Sequence, residues 1–146
     1  MNAWVAVLIM LGPIFVIMAV LRNQKRISKL RSATVELRVD DFGVRRVLAD
    51  GREEGVDWTD VSEVEVLTTK SGPYADAGGV VIVAGNADHG CLVPINELQT
   101  SGLAEALTHL PGFDSSRLLQ ALTAAPPSRI TCWARGQDRQ EERHRE

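Results

Sequence analysis

The stretch richest in reactive groups is Asp88-His89-Gly90-Cys91. A thiol nucleophile needs a base placed beside it, and a metal site needs three or four ligands. Outside this stretch His109 and Cys132 offer further soft ligands, and no diagnostic spacing joins them. Neither Cys91 nor Cys132 belongs to a C-x-x-C pair, so neither a zinc ribbon nor a thioredoxin-like site is supported. The stretch therefore reads as a turn followed by a buried cysteine in a strand. No catalytic group, cofactor or metal is expected, and an enzyme using Cys91 or His89 is the least favoured of three functional readings.

A second candidate is the acidic run Glu53, Glu54, Asp57, Asp60, Glu63 and Glu65. Paired carboxylates can move protons or bind calcium, but the D-x-D-x-D-G order of a calcium loop is absent. The run reads as a solvated strand face, or as a docking surface for a basic partner. Tyr74, in Gly72-Pro73-Tyr74, falls on a loop that could present it to a partner. Trp58 and Trp133 read as core residues, with a binding hot spot at one of them as the alternative.

Charge is unevenly distributed along the 146 residues. Arg22, Lys25, Arg26, Lys29 and Arg31 form a block of five positive charges with no acidic residue before it. Beyond Arg31 there are 11 Lys and Arg against 19 Asp and Glu, a net charge of −8. Such a domain is repelled by phosphate backbones, so nucleic-acid binding is not expected.

These groups need elements to hold them. The run from Ala3 to Leu21 carries no charged side chain, and about 20 apolar residues suffice to span a bilayer as a helix. Residues 1–21 are therefore expected to form a transmembrane helix, with Gly12-Pro13 tolerated mid-span and Trp4 near one interface. A cleaved signal peptide fits less well, because there is no basic leading region and no A-x-A site before the basic block. Residues 22–32 are the basic juxtamembrane linker. Their charge places the following domain in the cytoplasm of a single-pass cell-membrane protein, where Cys91 and Cys132 stay free thiols.

Residues 33–135 carry a folded domain. Thr34–Val39 alternates, with Val35, Leu37 and Val39 on one face, and Asp40 to Gly43 make a turn. Segments 44–49 and 52–58 flank Asp50-Gly51, a dipeptide suited to a type I′ hairpin. Segment 61–69 alternates again, completing an expected four-stranded meander. Val80 to Ala84 is uniformly apolar, as a central strand would be, and a short strand follows from Cys91. Leu103, Ala106, Leu107 and Leu110 form one helical stripe after Ser101. Asp114 can cap a second helix carrying Leu118, Leu119 and Leu122. Segment 128–134 is the last strand, and residues 136–146 are an expected disordered charged tail. The fold class is α+β: a bent antiparallel sheet of six or seven strands with two helices in the C-terminal half.

The run Asp50-Gly-Arg-Glu-Glu-Gly-Val-Asp-Trp-Thr-Asp-Val-Ser-Glu-Val-Glu-Val66 resembles bacterial PH-like domains. With Ser71-Gly-Pro73, Gly90-Cys-Leu-Val-Pro94, Leu110-Pro-Gly-Phe-Asp114 and Cys132-Trp133, it is similar to a group of small uncharacterised bacterial membrane-anchored proteins. The resemblance covers roughly Val35 to Trp133 and implies a fold, not an activity. Two helices and a further strand depart from the single closing helix of the PH plan. Phosphoinositide-type lipid binding is not implied, because Asp40-Asp41 stands where a basic loop would grip the head group. The expected function is a membrane-tethered interaction module, such as an accessory subunit of a membrane complex, with an inhibitor or immunity-type protein as the alternative.

Overall fold

A computed structural model describes residues 33–86 and 89–137. The expected membrane helix, its basic flank, Asp88 and most of the charged tail lie outside the described residues. Among the described residues no helix is long and apolar enough to cross a membrane. The chain divides into two units between Ala33 and Thr34, and the strands among the described residues belong to the second.

Among the described residues seven strands form two antiparallel sheets rather than one bent sheet. β1 (Thr34–Val39), β2 (Gly43–Leu48) and β3 (Glu53–Asp57) make a three-stranded meander. β4 (Val61–Thr68), β5 (Gly79–Gly85), β6 (Gly90–Pro94) and β7 (Ser128–Ala134) make a second sheet in the order β6-β5-β4-β7. The expected four-stranded meander thus stops at three. β4 leaves at the Trp58–Asp60 corner and pairs instead with β5 and β7. Alternation dictates which side chains point inward, but it does not choose the neighbouring strand.

The inner faces of both sheets share one core. Val44 and Val56 come from the first, and Val64, Val66, Val81 and Val83 from the second, with Leu103 and Leu107 beside them. β-branched side chains pack well on a pleated surface, so these valines serve both local and tertiary preference. α1 (Leu103–Leu107) buries both of its leucines. α2 (Ser115–Thr123) packs on β7 and β4 through Leu118 and Ala121. Asp114 caps α2 as expected, its carboxylate accepting from Ser116 N–H at 2.8 Å. Leu119 is the exception to the expected stripe, being 63% exposed.

Two local expectations are corrected. Val35 is 69% exposed, because a bulge in β1 makes it an extra residue that does not share the inward face of Leu37 and Val39. The Asp50-Gly51 connection is not a two-residue type I′ turn. Gly51 N–H donates to Leu48 C=O and Leu48 N–H to Arg52 C=O, so the loop has three residues. Gly51, at φ 83°, takes the left-handed position that follows a type I turn.

Candidate functional site

The Asp40–Gly43 connection begins the site. Asp40 N–H donates to Gly43 C=O at 3.1 Å, leaving Asp41 and Phe42 as the two turn residues. The Asp40 carboxylate Oδ1 accepts from Phe42 N–H at 2.9 Å and from Gly43 N–H at 3.1 Å. This is the usual way a short acidic side chain stabilises a turn. Gly43 is required by contact: a Cβ there would lie 2.2 Å from Val56 C=O.

Trp58 ties this turn to the corner between the sheets. Its backbone N–H donates to Phe42 C=O at 3.0 Å, and its indole Nε1 to Asp40 C=O at 2.8 Å. Phe42 is thereby held at both its N–H and its C=O, yet its ring is 80% exposed. A large apolar side chain displayed on a fixed turn suits a binding anchor, because little main-chain freedom remains to be lost on contact.

An open groove of about 490 Å³ runs between this turn and α1. Val39, Trp58, Ala106 and Leu110 make its apolar lining and Asp40, Asp41 and Glu105 its acidic part, with Ser101, Gly102 and His109 completing it. Beyond Trp58 and His109 a second groove of about 700 Å³ is lined by Pro111, Trp133 and Arg135. The Trp133 indole is spent on Pro111 C=O at 2.7 Å, and Arg135 on the carbonyls of Thr59 and Val61. Both indole N–H groups are thus occupied internally, and the grooves offer apolar surface, not indole donors.

The acidic run is divided between sheets and largely engaged. Glu54 accepts from Arg46 and from Leu92 N–H, both at 3.2 Å. Asp57 pairs with Arg45, which lies over Gly55. Glu65 accepts from Arg129 at 2.6 Å and Glu63 from Thr131 at 2.9 Å. Glu53 is exposed and Asp60 half-buried in the β3–β4 corner. Tyr74 is half-buried, and its hydroxyl accepts from Arg46 Nη1 at 3.3 Å.

Within the cysteine stretch, the described residues His89 and Cys91 differ sharply in exposure. Cys91 is fully buried on β6, whereas His89 is exposed. Burial, and secondarily the Glu54 carboxylate, push the Cys91 thiol up to about 12, against the opposing pull of Arg46 and Arg45. A protonated, buried thiol is not a nucleophile at neutral pH. Cys132 is buried too, and burial raises its thiol, with Arg117 opposing. Among the described residues no group of three or more His, Cys, Asp or Glu is placed to hold a metal ion.

Trp58 stands out in the sequence, but as a core residue, and Phe42 only as part of a turn. The signal for the site was a large apolar residue inside Asp-Asp-Phe-Gly, where turn chemistry asks for none. No family model, curated protein or solved structure matches this chain.

Proposed function

We propose that this chain is a membrane-tethered protein-interaction module. Its anchor is the apolar run Ala3–Leu21, its soluble part is a cytoplasmic PH-like domain, and its docking surface is Phe42 with the adjoining groove. The observation that carries this reading is Phe42: a large apolar ring displayed on a turn pinned from both sides and next to an apolar groove. The acidic rim disfavours docking onto anionic lipid.

The test has two arms. The full chain should remain with membranes through alkaline carbonate extraction, and a chain beginning at Arg31 should not. A photo-crosslinker at position 42 of the full chain should trap one discrete protein adduct in native membranes. Extraction of the full chain by carbonate, or absence of any adduct, overturns the reading.

A further inference from the structure

We infer that the groove beside Phe42 receives a short extended segment of a partner protein carrying a lysine or arginine next to an aliphatic residue. This rests on the interaction-module reading and gives the partner its chemistry.

Unmatched charge in the groove calls for the cation. Glu54, Asp57 and Glu65 are each matched by an arginine of the same domain. Asp40, Asp41 and Glu105 line one groove and make no ion pair among the described residues. Asp40 spends one carboxylate oxygen on its own turn. Asp41 and Glu105 are exposed. Three carboxylates against one imidazole, His109, leave the groove's lining acidic around its apolar residues. A cation at the rim is attracted, and an anion is repelled.

The floor decides what accompanies the cation. Val39, Ala106 and Leu110 provide aliphatic surface, and Trp58 is fixed through both its main-chain and indole N–H groups. With the indole N–H spent, its remaining offer is the ring. An aliphatic side chain fills such a floor without leaving a buried polar group unmatched. Phe42, exposed on the same turn as Asp40 and Asp41, lies outside the groove's lining and offers a separate apolar surface beside it. A lysine or arginine fits the join, because its methylene stem covers apolar surface while its charge reaches the rim.

Rim charges in water contribute modestly and are screened by salt, whereas a preorganised aromatic anchor contributes more. The two therefore have separable signatures. Removing Phe42 should weaken binding by at least tenfold. Neutralising Asp41 or Glu105 should weaken it about threefold each and flatten its salt dependence.

The experiment pans a phage-displayed random heptapeptide library on the full chain in nanodiscs of neutral lipid. In parallel it uses the Phe42→Ala chain, the Asp41→Asn/Glu105→Gln chain, and a Leu119→Ala control at the exposed leucine of α2. Circular dichroism of each variant establishes that it is folded. Enrichment of peptides carrying Lys or Arg beside Leu, Ile or Val is expected on the parent chain and the control. It should be lost on Phe42→Ala and reduced on the double variant. Acidic or uncharged winners, winners indifferent to Phe42, or no enrichment would overturn the inference. Failure here with a discrete adduct at position 42 in membranes removes the peptide chemistry and leaves the module reading standing. Absence of that adduct removes the module reading itself.

Discussion

Glu54, in the three-stranded sheet, accepts a hydrogen bond from the backbone N–H of Leu92, on the edge strand β6 of the other sheet, at 3.2 Å. The same oxygen accepts from Arg46, whose side chain is 1% exposed. Arg46 also donates to Thr34 Oγ1 at 2.7 Å and lies near the Tyr74 ring. One carboxylate thus satisfies an edge-strand donor and pairs with a buried guanidinium.

Replacing Glu54 with alanine should therefore cost about 1–3 kcal/mol, since it takes one acceptor from a buried guanidinium and leaves the Leu92 N–H without its carboxylate. Glu54→Gln keeps an acceptor and should cost less. Urea denaturation of the two variants checks the order. Equal losses would mean that charge matters less than packing at this position.

Cys91 makes alkaline stability a second readout. Its folded-state thiol sits at about 12, above the ordinary 9.0. Stability that depends on keeping it protonated is complete below pH 9 and is lost as pH rises toward about 12. A Cys91→Ala chain should lose less stability over that window than the parent, measured by denaturant midpoints at successive pH values.

Thiol reagents should react slowly with the folded chain, because both cysteines are buried. Labelling of the native thiols then reports unfolding, not sidedness. Leu119→Cys supplies the missing topological reporter, since position 119 is 63% exposed. If the domain is cytoplasmic, an impermeant maleimide should spare Leu119→Cys in intact cells and label it after permeabilisation. Labelling in intact cells would place the domain on the other side.

The Asp114 cap predicts an acid dependence. Hydrogen bonds from the Ser116 hydroxyl and N–H hold its carboxyl below the usual 3.8. Its contribution is present above pH 3.8 and is lost as pH falls through the lowered value. Asp114→Asn, which keeps a capping oxygen but no charge, should be less stable than the parent at neutral pH. The gap should narrow in acid, as thermal melts at pH 7 and pH 3 would record.

Phe42→Ala should change stability by no more than about 0.5 kcal/mol, as for other exposed positions. Leu107→Ala, fully buried in α1, should cost about 2–5 kcal/mol. Thermal melts of the two chains separate binding surface from core. A large loss at Phe42 would mean that its ring supports the turn.

Much of this fold is legible in the residues themselves. Segment 64–68 alternates because one face meets the core, and Asp114 announces its helix by side-chain chemistry. The split into two sheets is not legible, since a strand that alternates has two edges and its sequence does not say what lies along each. The bulge at Val35 is hidden for a related reason: a local β-pattern continues through it unchanged. Trp58 is visible as a large aromatic residue, but its groove forms only when α1, far along the chain, comes beside it.

The β4–β7 pairing has a consequence for how the chain is made. Thr68 faces Ser128, and the strand that closes this side of the sheet is synthesised after two helices. At elongation rates of about 5–20 residues per second, β4 waits several seconds with one edge open. Glu63 and Glu65 stand on that strand throughout the wait, their eventual partners Thr131 and Arg129 not yet made. Two like charges on a waiting strand repel another copy of itself, so the nascent domain carries its own guard against clumping on the polysome.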